Sequence, residues 1–549
     1  MAIDTYMLCN VLYIIVYQAN IKYIWQLKLT IFNYKHSKYF IFRRYISIIL
    51  ITFVYISIIF SVSHSTLNVK KSSGINSSFD YYQLKKTIHL IKNIIMENKM
   101  NRRSFLAKSA VGATGVLLST IPVIAEAGKS KKTVVIDNKK RRVALIGTGS
   151  RGTSMWGETV ISNYGDIVEY VGLCDTNPGR LEAAKNYMGA TCKTYSDFEL
   201  MMKETKPDVL IVTTVDSLHD HFIVRGLELG CDVLTEKPMT TDETKCQAIL
   251  DAQQRTGKQV IVTFNYRYSP HRAKIWELIN KGEIGEITSV DFHWYLDTSH
   301  GSDYFRRWHR RREFGGSLWV HKASHHFDLL GWWLNSEPEE VFAYGSLDFY
   351  GKNGKQRGTN CRSCIHKDAC DFYWDVNKNE YYKMLYTNNE KYDGYLRDGC
   401  VFKEDIDIFD KMCASIKYAN GVQVAYSLTA YSPYEGYRIA FNGTKGRIDA
   451  WIQESNPVFD GDYDEIMITR NFGKRNYIRI PQSAGHGGGD KLMHDKIWRN
   501  VKEDPMHQSA NVRDGAFAIL TGIAARKSCD TGKPVKIGDL TTLKPQKQK

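Results

Sequence analysis

The run Val143-Ala144-Leu145-Ile146-Gly147-Thr148-Gly149-Ser150-Arg151-Gly152 decides the fold. Four apolar residues lead into G-x-G-x-x-G, and a helical pattern follows. A short apolar run of this kind reads as a strand buried on both faces, as in a parallel sheet. The first glycine permits a tight turn, the second lets backbone approach a pyrophosphate, and the third lets helix and strand pack closely. The next helix points free N–H groups and the positive end of its dipole at the phosphates. Val168 to Cys174 reads as a second strand, closed by Asp175. That acid stands about 20 residues beyond the last glycine, where an acceptor for a ribose 2′-hydroxyl belongs. Gly147, Gly149, Ser150, Arg151, Gly152 and Asp175 are therefore expected around a dinucleotide, with NAD favoured over NADP.

Outward from this stretch, strand and helix alternate, the mark of a parallel α/β sheet. Asp208–Thr214 and Val233–Pro238 read as strands, Thr241–Thr256 as a helix, and Val260–Arg267 as a further strand. Polar residues at the carboxyl ends of such strands face the ligand crevice, which nominates Thr213, Thr214, Glu236, Lys237 and Asn265. After about Pro270 the pattern changes. Helix Arg272–Lys281 precedes strand-like stretches at Ile287–Tyr295, Glu340–Leu347, Ala414–Tyr418, Val422–Ala430, Arg438–Asn442 and Arg447–Ile452, with Asn420-Gly421 as a hairpin turn. Val512–Ser528 is helical. The expected fold is α/β: an N-terminal Rossmann domain over 142–268 and a C-terminal α/β domain over 269–549 with a mainly antiparallel open sheet.

The charge is unevenly spread. Of the net +15, residues 1–142 carry 22 Lys/Arg against 5 Asp/Glu, leaving 52 against 54 in the remainder. A near-neutral globular part offers no electrostatic footprint for nucleic acid. Residues 1–99 are rich in Ile, Tyr, Lys and Asn, and Tyr45–Val62 is apolar over roughly a spanning length. They read either as a membrane segment or, preferably, as an extension ahead of a true start at Met100. Residues 100–127 have a charged start with Arg102-Arg103, an apolar stretch and Ala125-Glu126-Ala127, which together read as a twin-arginine signal peptide with a cleavage site. Residues 128–141 are a linker. The expected location is periplasmic, with no stable membrane association after signal removal.

Gly147-x-Gly149-x-x-Gly152, Asp175, His219 and above all Glu236-Lys237-Pro238 resemble the glucose–fructose oxidoreductase / inositol dehydrogenase (Gfo/Idh/MocA) family. The resemblance covers roughly Arg142 to the C-terminus. It implies a Rossmann domain, a second domain carrying a sugar or polyol site, a homo-oligomer paired through the outer sheet face, and a catalytic Lys237. An ammonium beside a reacting hydroxyl stabilises developing alkoxide, and a neighbouring cation lowers its pKa towards neutrality. The family's second signature matches Gly315 to Asp328, with His325 in the place of the catalytic His and Asp328 as the acid one turn later. The family's Asp is replaced here by His321. His321 and His325 share a helix face at i and i+4, so His325 is read as the general base, with His321 a poorer orienting partner than a carboxylate, or the two as a metal pair. The adjoining Lys322 and His326 are assigned to substrate.

Tyr266, Arg267, Asp297, His300 and Arg307 supply hydroxyls and charges, with Tyr304 and Trp308 as aromatic faces, a mixture suited to carbohydrate. Ala484–Asp490 is a Gly-rich loop that brings in His486, and it resembles the loop of NAD-dependent glycoside hydrolases of the same fold. Cys361-Arg362-Ser363-Cys364, Cys370 and Cys400 sit in a Tyr- and Asp-rich insertion, 351–400. Four thiolates suit zinc or an iron–sulfur cluster, and in an exported chain two disulfides as well. The reading is an exported oxidoreductase transferring hydride between a nicotinamide cofactor and a sugar, glycoside or polyol. Its alternatives are a redox-assisted glycoside hydrolase with a recycled cofactor and, because of His321, a non-catalytic sugar- or dinucleotide-binding protein.

Overall fold

Residues 139–455, 462–482, 486–499, 501 and 503–547 are described by the structure, a computed structural model. The chain divides into two units, Met1–Lys132 and Thr133–Lys549, and all that follows concerns the second. The expected extension, the signal peptide and most of the linker lie outside the described residues.

Six parallel strands form the first sheet: β1 (Arg141–Ile146), β2 (Val168–Cys174), β3 (Lys193–Tyr195), β4 (Val209–Val212), β5 (Asp232–Thr235) and β6 (Val260–Val262). Their order is β3-β2-β1-β4-β5-β6, every neighbour parallel. Val143, Ala144 and Leu145 are fully buried, as a strand covered on both faces requires. The order reverses between β1 and β4, so a crevice opens at their carboxyl ends. The helix beyond the glycines starts as Ser150–Thr153, loosens into a π turn over Ser154–Glu158, and ends as Thr159–Tyr164.

The second sheet has nine strands: β7 (Ile287–Asp297), β8 (Pro338–Ser346), β9 (Lys411–Tyr418), β10 (Gln423–Ser432), β11 (Glu435–Gly443), β12 (Gly446–Ser455), β13 (Tyr463–Arg470), β14 (Arg475–Pro481) and β15 (Val535–Lys536). Their order is β14-β13-β12-β11-β7-β10-β9-β8-β15, antiparallel except where β7 meets β10. The β9–β10 hairpin turns at Asn420-Gly421, with Gly421 at φ +88°. In β9, Met412, Ala414, Ile416 and Tyr418 are buried while Lys411, Cys413, Ser415 and Lys417 face out. That alternation leaves one face for the core. The helices Ser324–Leu334 and Val512–Thr531, buried along most of their length, supply the apolar mass of this domain.

The strand expected at Val260–Arg267 stops at Val262, and Asn265–Tyr268 coils into a 3₁₀ turn. The coil redirects Arg267. Its guanidinium donates to both Asp328 carboxylate oxygens, at 2.6 and 2.9 Å, and to the His507 carbonyl at 3.1 Å. Arg267 was expected at the substrate, and Asp328 beside the base. Instead they form a buried ion pair that ties the end of the first sheet to helix Ser324–Leu334. Breaking such a pair strands one charge without its counter-ion, at about 3–5 kcal/mol. Urea unfolding of Arg267→Ala should show a loss of about this size; a loss close to zero would mean that the two domains are joined elsewhere.

Candidate active site

The glycine turn is built as its spacing demands. Gly147 has φ +89°, and a Cβ there would lie 2.6 Å from the Thr213 carbonyl oxygen. A Cβ on Gly152 would collide with the Gly147 carbonyl oxygen. The Thr213 hydroxyl donates to Gly147 O at 2.6 Å and to Ile146 O at 3.0 Å, locking the end of β4 to the turn. Thr214 donates only a long bond to the Val215 carbonyl. His219 places its ring nitrogens 2.9 Å from Pro238 O and 3.2 Å from Thr214 O, so it fastens the ends of β4 and β5 together.

Above Gly149 the turn is open except for the Tyr386 hydroxyl. The Ser150 N–H donates to that hydroxyl at 2.8 Å, and the Tyr381 hydroxyl donates to Ser150 O at 2.9 Å. The insertion therefore reaches over the turn and sets a neutral oxygen where the helix offers a donor to phosphate. At the rim, Asp175 accepts from Thr148 N and Oγ1, Asn177 N and the Arg180 guanidinium. Asn177 and Arg180 both donate to Asp393 of the insertion, at 2.8 and 3.0 Å. A nicotinamide dinucleotide fits this frame: glycines leave room for a pyrophosphate, the helix amide points at it, and an acid closes β2. Tyr386 would have to yield the Ser150 amide.

Glu236 accepts from the Lys237 backbone N–H at 3.2 Å with one oxygen. Its other oxygen accepts from Arg151 Nε at 2.7 Å and Trp156 Nε1 at 2.9 Å. The Lys237 amine lies 3.2 Å from His321 Nε2 and donates to His321 O at 3.2 Å. On the far side of that ring, Nδ1 is 2.5 Å from Asp216 Oδ2. Asp216 opens the short turn after β4. An ammonium offers only donors, so Nε2 accepts and the ring proton sits on Nδ1, donating to the carboxylate. Burial pulls the Lys237 pKa down to about 8, against the attraction of Asp216 and Glu236. Burial first, then the charge of Lys237, holds His321 neutral well below the ordinary histidine range. Burial also pushes the Asp216 carboxyl upward, opposed by Lys237 and Arg307.

His309 stacks on Trp308 and meets His321 edge-on, with centroids 4.1 Å apart. Donor atoms of Asp216, His309 and His321 lie within 4.8 Å of one another. A lysine holding the His321 Nε2 lone pair suits proton transfer better than a cation site. The shared helix face and the metal pair expected of His321 and His325 are not formed, because the helix Leu318–His321 ends at His321 and His325 belongs to the next one, Ser324–Leu334. His325 stacks on Tyr266 at 4.2 Å and packs edge-on to Phe264.

From Tyr266 a chain of polar groups returns to the relay. Lys322 donates to the Tyr266 hydroxyl at 3.1 Å and pairs with Glu435 at 3.6 Å. Glu435 holds His300 at 2.7 Å, and His300 Nε2 is 2.9 Å from the Tyr304 hydroxyl. The Tyr304 ring then meets His321 edge-on. Arg307, paired with Asp303, lies beside Tyr304. Two other expected substrate residues are placed elsewhere. Asp297 caps helix Thr298–Arg306 through Ser299 N and His300 N. His326 is fully buried, stacked on Trp294 and bonded to the Tyr426 hydroxyl. Asn265 donates to Asp490 of the Gly-rich loop, and the His486 side chain lies outside the described residues. The four cysteines meet at the base of the insertion.

The sequence reading missed Asp216, Glu435, and the contacts of Tyr386 and Asp393. Only Asp216 carried a signal, two residues past Thr214 at a strand's carboxyl end. In a titration of ¹³C-labelled lysine side chains, one resonance should show a midpoint near 8 and vanish in Lys237→Met. A Lys237 midpoint at the ordinary ~10.4 would mean that the amine is not held in this dry contact.

Comparison with known proteins places both halves. Residues 141–264 match the model for the oxidoreductase family NAD-binding Rossmann fold, and residues 276–537 that for its C-terminal alpha/beta domain. YteT of Bacillus subtilis (strain 168), named as an oxidoreductase with no substrate in its name, is 36% identical over 423 residues, 73% of this chain and 98% of its own. A glycosyl hydrolase family 109 protein of Shewanella pealeana is 23% identical over 474 residues, 78% of this chain and 93% of its own. Among solved structures, levoglucosan dehydrogenase, in complex with NADH and levoglucosan, superimposes with a TM-score of 0.54 at 18% identity. That match covers 73% of this chain and all of the other. With an NAD-binding Rossmann half and the partner domain both matched, the chain belongs to the Gfo/Idh/MocA family of oxidoreductases.

Proposed function

We propose that this oxidoreductase oxidises a secondary hydroxyl of a sugar, glycoside or polyol with NAD. The observation that carries the reading is the Lys237–His321–Asp216 relay, standing where β4 and β5 end beside the glycine turn. The nicotinamide, when bound, accepts hydride from the substrate carbon. The chain's own groups manage the proton. Lys237, neutral above about 8, accepts it from the reacting hydroxyl. His321 Nε2 can take it on, and Asp216 stabilises the imidazolium that results, as a carboxylate does for a triad histidine. Lys322, Tyr266, Glu435 and His300 offer donors and acceptors to the remaining hydroxyls. The Asp175 carboxylate disfavours a 2′-phosphate, and Arg180, already paired with two carboxylates, has little charge left to attract one. NAD is thus preferred to NADP.

A second reading is supported by the insertion lying over the glycine turn, a geometry that slows cofactor exchange. A retained, recycled cofactor would serve a redox-assisted glycoside hydrolase, the activity in the name of the Shewanella relative. Multiple turnovers on an aryl glycoside without added NAD would favour it; strict dependence on added NAD would exclude it. Export by the twin-arginine segment and pairing through the outer face of the second sheet complete the proposal. A periplasmic chain beginning at Gly128 tests the first, and solution mass the second.

Oxidation should accelerate as pH rises through about 8, because the amine must be deprotonated to accept a proton. Lys237→Met should lower kcat by roughly 10²–10⁴ and flatten that rise. Asp216→Asn leaves the ring unanchored and its tautomer unset. Its kcat should fall by up to about 10⁴ with KM little changed. Full activity in either variant on a panel of inositols and glycosides would overturn the assignment.

A further inference from the structure

The insertion has too little core to hold itself together. Over 351–400 it forms only short helices and 3₁₀ turns, and its buried apolar side chains are Cys361, Val376 and Leu385. A segment of this kind needs a staple, as small scaffolds do. The four cysteines Cys361, Cys364, Cys370 and Cys400 line one pocket that opens to solvent, and all four are unbridged. Backbone contacts bring them there. Cys361 N–H donates to Asp398 O at 2.8 Å and Cys400 N–H to Thr359 O at 3.2 Å, around the Asn360–Gly399 bridge. The Cys361–Cys364 turn closes through Cys364 N–H to Cys361 O, 3.2 Å.

Two of the sulfurs receive N–H donors. Arg306 is 5% exposed, and it donates to Cys361 Sγ at 3.1 Å and to the carbonyls of Gly399 and Phe372. The guanidinium is thus held at the cavity among neutral acceptors, where the net negative charge of a thiolate-ligated cluster would balance it. Phe402 N–H also donates to Cys400 Sγ, at 3.4 Å, the kind of hydrogen bond that cluster sulfurs accept. The spacing of the sulfurs then selects the occupant. A single zinc with bonds of ~2.3 Å draws four sulfurs to about 3.8 Å of one another. Among the described residues, no three of these sulfurs fall within 4.8 Å of one another, a condition that only Asp216, His309 and His321 meet. Four cysteine sulfurs held apart around one pocket suit a cubane, which interposes iron and sulfide between them.

The geometry points to a structural [4Fe–4S] cluster ligated by Cys361, Cys364, Cys370 and Cys400, which staples the insertion that covers the dinucleotide cradle. The test is elemental analysis of the full-length chain purified anaerobically from iron-replete cells. About four iron and four acid-labile sulfide per chain are expected, with a broad visible absorption that disappears in Cys370→Ser together with at least tenfold of the iron. One zinc per chain without sulfide overturns the proposal, as do two disulfides in non-reduced peptides or a metal-free chain with four titratable thiols. Should Cys370→Ser fail to fold, the composition of the wild-type protein decides alone.

Discussion

A lysine amine kept dry against a neutral imidazole is the constraint around which this molecule is arranged. Water would restore Lys237 to a permanent cation, so the site must exclude it. The exclusion comes from both domains. Lys237 arrives at the end of β5 and Asp216 follows β4, while His321 is delivered by the second domain just ahead of helix Ser324–Leu334. The contact exists only while the domains stay docked, and the buried Arg267–Asp328 pair holds them so.

The relay also accounts for a departure from the family signature. A histidine replaces the expected acid in the helix of the second domain, yet a carboxylate is still present. It comes from the first domain instead, as Asp216. Moving the acid across the interface turns a side-by-side pair on one helix into a line of three groups spanning the crevice. Each member sets the protonation of the next: the amine fixes the tautomer of the ring, and the ring fixes the hydrogen bond to the acid.

Much of the frame was legible from residues alone because it follows from local rules. The glycine turn, Asp175 and the parallel strands come from backbone sterics and buried apolar runs. The antiparallel second sheet followed from successive strand-like stretches and the Asn420-Gly421 turn. Strands β13 and β14 were not read: β14 lies at the sheet edge with little buried, so its alternation is faint. Site residues were legible by type and not by partner. Lys237, His321, His300, Lys322 and Tyr266 share one network, whereas Arg267, Asp297 and His326 serve the scaffold. Their identities suit either role, and only distant contacts such as Glu435 and Asp328 separate the two. Asp216 carried only its place after a strand's carboxyl end, and that place does not say which histidine it will meet.

The hold on Ser150 has a consequence for the life history of the protein. One tyrosine of the insertion accepts from its amide and another donates to its carbonyl, while Asp393 grips the neighbouring rim. A coenzyme can seat before this clasp shuts, or later by breaking several bonds each worth about a kilocalorie. Seating a coenzyme is then coupled to how the insertion settles over the glycine turn.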